Sequence, residues 1–186
     1  MTAQIPEILI LDGKRFDLCG VRGEGLFEPT ALGLETEAPH ASCRRGFFCC
    51  YAVECGRLLL AELDLWTSPK VWKVARKKLI ALCGGHLDFD EKAAHVKTRN
   101  LDLHIRFTGG LLLGFDFIED LSVTIGFQPA HTYRQVVELI FEDGVLVSRV
   151  DRSTEMEAVR ARETIADQDR SKDLVAWIDD RARTDY

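Results

Sequence analysis

The sequence lacks several patterns on which common enzyme classes depend. It contains no G-x-x-x-x-G-K-[ST] phosphate loop and no G-x-S-x-G nucleophile turn, and the glycines at 23 and 25 lack the third glycine and the following helix of a dinucleotide loop. Nucleotide binding and the usual serine hydrolase chemistry therefore lose support. Long apolar runs are also missing: the longest, FFCCYAV, spans residues 47–53, far short of the roughly 20 apolar residues that cross a bilayer as a helix.

The sequence also has little at its start that would direct it to a membrane. The first residues, MTAQIPEILILDG, lack the basic start and the apolar stretch of a signal peptide, so we expect a cytoplasmic protein without membrane association. Positive charge is scarce as well, because 24 Lys and Arg stand against 30 Asp and Glu and give a formal net charge of −6. Phosphate binding requires a positive field at the contact, so this balance disfavours nucleic acid as a partner.

What the chain does contain is an ordinary globular composition: 186 residues, of which 46% are hydrophobic and 29% are charged, enough for a substantial core. Its six cysteines include no C-x-x-C pair, and adjacent cysteines on a strand point to opposite faces and cannot share one ion. We therefore predict reduced, packed cysteines and neither a metal nor another cofactor. The cysteines are Cys19, Cys43, Cys49, Cys50, Cys55 and Cys83.

Turn signals between apolar runs predict a protein built from hairpins. In VELIFEDGVLVSRV a two-residue loop at Asp143-Gly144 suits a type I′ turn, and the resulting register places Glu138 opposite Arg149. LILDGKRFDL and FFCCYAVECGRLLLAELDL repeat this arrangement. In the first of them Leu9, Leu11, Phe16 and Leu18 fall on one face whichever of two plausible two-residue loops forms. We also predict a strand in LDLHIRF that turns at Gly109-Gly110, and a further strand, LSVTIGF, at 121–127.

Two regions carry helical patterns. Residues 69–82 follow Ser68 as an N-cap, begin with a proline, and precede a glycine, which is the expected order of start and stop signals. The tail, residues 151–186, predicts two short polar helices capped near Ser153 and Ser171. The predicted fold class is therefore β-rich α+β: antiparallel hairpins form a curved sheet, barrel-like or two-layer, with one covering helix. We predict a β-rich globular domain at 1–150 and a polar helical tail at 151–186.

The stretch CGGHLDFDEKAAH, residues 83–95, is the most enzyme-like part of the chain. It offers a thiol, two imidazoles and several carboxylates, but the spacing of Cys83 and His86 is only half of a zinc site. A solvated connecting loop is one interpretation. The other is a ligand-binding cleft lined by His86, Asp88, Asp90 and His104.

Two further segments are candidates for an interaction surface. The helix at 69–82 carries a basic cluster with a tryptophan, and the tail carries an apolar cluster between charged residues. A solvated helix face is the plainer interpretation of the basic cluster. The alternatives are binding of an acidic protein partner and binding of nucleic acid, whose bases stack on aromatic residues among cations. The tail could dock on the same molecule, on a second copy or on another protein. The residues are Lys70, Trp72, Lys73 and Lys77 in the helix, and Leu174, Trp177 and Ile178 in the tail.

Two segments resemble a group of bacterial β-rich proteins that have no established activity. One is SCRRGFFCCYAVECGRLLLAEL, within 42–65, with an Arg-Gly pair, an aromatic strand and a Leu-rich return strand. The other runs from RFTGGLLLG to VELIFEDGVLVS within 106–150 and contains an F-T-G turn and a final hairpin. Cys55 departs from the Asp or Asn expected at its turn. The resemblance implies a β-rich fold and a bacterial origin, and it supplies no catalytic residue.

These observations favour a non-enzymatic protein-interaction module, of an immunity or accessory type, that binds a partner protein. The acidic balance would steer a basic partner, and no convergent catalytic set is visible. A homodimer stays open. The alternative is a small-molecule-binding or enzymatic β-domain that uses the 83–95 loop.

Overall fold

The computed structural model describes residues 2–83, 87–90 and 92–165, and it is a β-rich α+β fold. Its helices are α1 (Trp72–Cys83) and α2 (Ser153–Ile165), with short 3-10 turns at Pro29–Leu32, Glu119–Leu121 and Ala130–Thr132. The strands are β1 (Ile8–Leu11), β2 (Lys14–Glu24), β3 (Phe47–Glu54), β4 (Arg57–Trp66), β5 (Leu87–Asp90), β6 (His95–Thr98), β7 (Leu103–His104), β8 (Thr108–Phe117), β9 (Tyr133–Glu142) and β10 (Val145–Asp151).

The strands form one curved sheet whose main part closes into a ring, as the sequence predicts. The order is β10-β9-β8-β2-β1-β3-β4, and the pairing of β10 with β4 joins its two ends. Among the named strands of the described residues, every pairing is antiparallel except that of β1 with β3, which is parallel. The ring therefore combines hairpins with one parallel contact that no hairpin can supply.

Strand β4 pairs with four other strands. One of its edges pairs with β3, and the other edge is shared in turn by β10, β7 and β6. Strand β5 then pairs with β6, so β6 and β5 extend the sheet beyond the ring. We call this extension, together with the parts of β3 and β4 beside it, the wing.

Alternate residues of the ring strands point inward and fill its interior. The predicted one-sided pattern of LILDGKRFDL is confirmed, because Leu9, Leu11, Phe16 and Leu18 are all buried in the core. Large side chains from the other strands complete the packing, so the interior is a core of the kind that small barrels have. The largest fully buried side chains there include Tyr51, Leu58, Leu60, Leu63, Leu65, Phe107, Leu111 and Phe141.

The three predicted two-residue hairpin loops are all present. Each has positive φ at both central residues, which type I′ turns require: 51° and 74° in the first loop, 49° and 73° in the second, and 49° and 79° in the third. These loops are Asp12-Gly13, Cys55-Gly56 and Asp143-Gly144.

Two sequence predictions in the region 109–127 are wrong. Gly109 and Gly110 do not form a turn but lie inside β8, where Gly109 pairs with Gly23 of β2. A Cβ on Gly109 would lie 2.0 Å from the carbonyl oxygen of Arg22, so glycine is required there by the close approach of two backbones. Residues 121–127 are a loop rather than a strand, because the Gln128 side chain bonds both backbone groups of Val123 and substitutes for a neighbouring strand.

The predicted register of the last hairpin is wrong beyond its first residues. A β-bulge between Leu146 and Ser148 shifts the pairing by one position, so that Glu138 faces Val150 rather than Arg149. An extra residue on one strand turns every following side chain to the other face of the sheet. Arg149 pairs instead with Asp12, with its Nη1 atom 2.6 Å from the carboxylate.

Helix α1 begins three residues later than predicted, after a turn in which the Ser68 carbonyl accepts from Val71 and Trp72. Its buried side is formed by Trp72, Ala75 and Leu79. Neither α1 nor α2 is long and apolar enough to span a membrane, and these are the helices that the described part of the chain contains.

Helix α2 starts at Ser153, as predicted, and packs on the outside of the ring. Met156 lies with Leu112, Tyr133 and Val136 in a second, smaller apolar cluster. Arg152 donates to the Glu138 carboxylate at 2.6 and 2.9 Å, which ties the start of α2 to β9. The predicted division of the chain after residue 150 stays a prediction.

Candidate functional site

The outer side of the wing carries a group of polar and aromatic side chains from four strands. In an antiparallel sheet, directly opposed residues share a face. The register forms one row of Phe48, Asp64, Lys97 and Asp88 and a second row of Trp66, His95 and Asp90. We call the surface formed by these seven residues the acidic aromatic face.

Trp66 is the centre of the acidic aromatic face. Its ring stacks on His95 with the centroids 4.3 Å apart and the planes at 7°, and Phe48 meets it edge-on at 5.7 Å. His40, from the loop before β3, is a further ring at 6.5 Å. Trp66 and Phe48 are both only partly buried, so this cluster presents aromatic surface to solvent on a rigid strand scaffold.

Asp64 joins the polar part of the face. Lys97 Nζ donates to one carboxylate oxygen at 2.9 Å, and His95 Nε2 lies 2.9 Å from the other. Because a carboxylate only accepts, the short contact requires that His95 carries a proton on Nε2. These side chains are between 19% and 31% exposed, so their positions are held by packing as well as by charge.

Carboxylates outnumber cations around this network. Asp88 and Asp90 are exposed on the edge strand β5, and Glu62, two residues before Asp64 on β4, has its nearest cation, Arg15, at 3.9 Å. One oxygen of Asp90 accepts the backbone N–H groups of Lys92 and Ala93 at 3.0 and 3.2 Å and fixes the β5–β6 connection. The surface is therefore acidic around an aromatic centre.

The structure brings only some of the predicted ligand-binding residues together. Asp88 and Asp90 lie side by side on the acidic aromatic face, whereas His86 lies outside the described residues. His104 pairs with Leu59 of β4, five positions and about 15 Å along that strand from Asp64. His104 therefore does not join the two aspartates, and use of the 83–95 loop for a small molecule stays a prediction.

The predicted basic surface on α1 is partly corrected. Lys70, Lys73 and Lys77 are exposed, but Trp72 is only 5% exposed and packs edge-on against Phe89 at 5.4 Å. Trp72 was predicted to lie on the exposed interaction surface, but it belongs to the buried stripe of α1. Leu174, Trp177 and Ile178 lie outside the described residues.

Sequence reasoning missed the centre of the face. Asp64 lies in the predicted strand LLLAELDL and Trp66 directly follows it, but neither was a candidate residue, whereas His95 is the last residue of the 83–95 stretch. The available signal was the alternation in LLLAELDLW, where Asp64 and Trp66 occupy the outward positions while Leu63 and Leu65 are buried. A tryptophan in an outward position of a strand is a marker of a contact surface.

A second polar group lies inside the ring and has a different character. Glu7 is 3% exposed, and its Oε1 is 3.0 Å from Arg45 Nη2. Burial raises the pKa of Glu7, an effect that Arg45 opposes. Burial also raises the pKa of the neighbouring Cys49 thiol well above its usual range, which makes that thiol a poor nucleophile.

Comparisons with known proteins add no relative. No family model, no curated protein and no solved structure matches the chain. The resemblance to the bacterial group therefore stays a prediction. Among the described residues, no three of the His, Cys, Asp and Glu side chains lie together where they could hold a metal ion.

Proposed function

We propose that this chain is a non-enzymatic protein-interaction module whose acidic aromatic face binds a basic segment of a partner protein. The observation that carries the proposal is the half-buried Trp66, stacked on His95 and bordered by the carboxylates of Asp64, Asp88 and Asp90. A protein of the immunity or accessory type, which binds a partner and neutralises it, would use a face of this kind.

The chemistry of the face suits a cationic partner segment. Tryptophan is enriched among the residues that contribute most to binding at protein interfaces, and an Arg or Lys side chain gains energy over an aromatic ring. The surrounding carboxylates steer a basic segment toward the ring. Because Asp64, His95 and Lys97 already hold one another, little side-chain freedom is lost on binding.

The interior of the ring supports a binding role over catalysis. Its volume is occupied by buried apolar side chains such as Tyr51, Leu60 and Phe141, and catalysis requires a substrate to reach the reacting groups. The buried Glu7 and Cys49 lie within this core. Their arrangement resembles a structural polar contact more than an accessible acid and nucleophile.

A bait experiment with matched variants tests the proposal. We expect the wild-type chain, used as tagged bait in an extract of its native organism, to capture a stoichiometric protein partner. Trp66→Ala should weaken capture at least about tenfold, the loss typical of a central interface tryptophan. Asp88→Lys, at an exposed position that leaves the core untouched, should also weaken capture and should do so most at low salt.

The control is Ile125→Ala, which removes an apolar side chain that is 53% exposed outside the face. Its capture should equal that of the wild type, and each bait should keep its melting temperature within a few degrees. Equal capture by all four baits, or no stoichiometric protein with the wild type, would contradict the proposed function.

A further inference from the structure

Helix α1 presents an open face that combines aliphatic and basic side chains. Trp72, Ala75 and Leu79 hold the opposite side of the helix in the core. Val74 is 53% exposed and Ile80 is 37% exposed. Two aliphatic side chains of α1 therefore face solvent instead of the core.

Three of the five cations in residues 70–78 have no partner among the described residues. Arg76 and Lys78 are engaged, because Arg76 lies 4.7 Å from the Phe89 ring centre and Lys78 donates to the Leu32 and Gly33 carbonyls at 2.6 and 3.2 Å. Lys70, Lys73 and Lys77 make no such contact within the described part of the chain and are exposed. We call the surface formed by these three lysines, Val74 and Ile80 the open face of α1.

The charge of α1 stands against that of the whole chain. The stretch from Pro69 to Cys83 contains no acidic residue, while the complete sequence has a net charge of −6. An occupant of the open face therefore has to supply carboxylates for the lysines and apolar side chains for Val74 and Ile80. A segment that combines apolar residues with carboxylates has this chemistry.

One segment of the chain outside the described residues combines apolar residues with carboxylates. In KDLVAWIDD the apolar residues Leu174, Trp177 and Ile178 follow the i, i+3, i+4 spacing of anchors that bind a groove or a helix face. Asp173 precedes them, and Asp179 and Asp180 follow them.

We propose that the segment 173–180 docks on the open face of α1. Its apolar side chains cover Val74 and Ile80, and its aspartates pair with Lys73 and Lys77. The described structure ends at Ile165, nine positions before Leu174, and such a connection reaches about 30 Å when extended. The docked segment comes from the same molecule, because this short connection keeps it at a high effective concentration near its own α1. The acidic aromatic face takes no part in it.

Carbodiimide cross-linking of the full-length chain tests this proposal. The reagent joins a lysine amine to a carboxylate that lies within ion-pair distance, and mass spectrometry identifies the joined peptides. We expect products that link Lys73 or Lys77 to Asp173, Asp179 or Asp180. Trp177→Ala combined with Ile178→Ala keeps every reacting group but removes the apolar contact, so it should lower the yield of these products at least about tenfold.

Ile125→Ala is the matched control, because it removes an exposed aliphatic side chain elsewhere, and its yield should equal that of the wild type. An equal mixture of 15N-labelled and unlabelled chains tests the source: docking within a molecule gives products of one isotope, and products that join the two isotopes would overturn it. The absence of these products, or a yield that the double variant leaves unchanged, would overturn the proposal. Neither result bears on capture of a partner by Trp66.

Discussion

Glu7 is an acidic side chain that the fold removes almost completely from water. It lies beside Cys49 on the neighbouring parallel strand and faces the core, with Arg45 as its ion-pair partner. Arg45 also lies over the Phe47 ring, 4.6 Å from its centre. Since removal of a carboxylate from water costs more than this pairing returns, the pKa of Glu7 in the folded chain is raised above 4.5.

This raised pKa predicts a pH dependence of stability. A group whose pKa is higher in the folded state contributes fully below its unfolded pKa, and that contribution is lost as pH rises through the folded value. We therefore expect the stability of Glu7→Gln, relative to wild type, to improve as pH rises from about 4.5 to 8. Urea denaturation across this range measures the difference.

Glu142→Gln controls for the loss of one carboxylate, because Glu142 is exposed at the end of β9. The two variants should differ in the slope of their stability with pH. A Glu7→Gln curve parallel to that of the wild type would show that Glu7 has the same proton affinity in the folded and unfolded chains.

The two tryptophans near the wing differ in their exposure to solvent. Trp72 lies in a basic stretch, which predicts a place on the interaction surface. Packing against Phe89 buries it instead. Trp66 is the partly buried one, and it lies at the end of β4. Which tryptophan meets solvent depends on what covers each element, and sequence spacing alone does not contain that information.

At the scale of elements, the attachment of α2 is the clearest case of tertiary packing that supports a weakly amphipathic helix. Met156 and Val159 are its buried residues. Ser153 accepts the backbone N–H of Val136 at 3.1 Å, and Arg160 donates to the Tyr133 carbonyl at 2.8 Å. The helix is therefore held at its first residue and near its middle by backbone groups of β9.

Truncation of the central contact should weaken this attachment. Met156 is 2% exposed in the second cluster, so we expect Met156→Ala to lower the free energy of unfolding by about 2 to 3 kcal/mol. Glu157→Ala, at the next and exposed position, should change it by less than about 0.5 kcal/mol. Urea denaturation of both variants provides the measurement, and equal effects would show that α2 does not contribute to the core through Met156.

At the scale of the whole molecule, closure of the ring depends on the loop Asp143-Gly144. The Gly144 N–H donates to the Phe107 carbonyl at 2.7 Å, and the Gly144 carbonyl accepts from the Leu58 N–H at 2.8 Å. A Cβ on Gly144 would lie 2.2 Å from the carbonyl oxygen of Ile105. This loop is thus both a hairpin turn and the contact at which β10 meets β4.

The loop Asp12-Gly13 offers a matched comparison, because it has the same turn geometry but no atom within 4 Å of a Cβ at Gly13. Gly13→Ala should cost about 1 kcal/mol from backbone strain alone. Gly144→Ala should cost at least about 3 kcal/mol, because it also disrupts closure. Similar losses for the two variants in thermal or urea denaturation would show that the ring is not held at this loop.

Local signals in the sequence determined the three hairpin turns, the inward residues of β1 and β2, and the start of α2. These features depend on positive φ at turn positions, on the two-residue period of strands and on capping, all of which neighbouring residues set. The tertiary structure alone decided the parallel contact of β1 with β3, the closure of β10 onto β4 and the bulge that separates Glu138 from Arg149. It also assembled the acidic aromatic face from β3, β4, β5 and β6, because side chains distant in sequence become neighbours only when strand order and register are set.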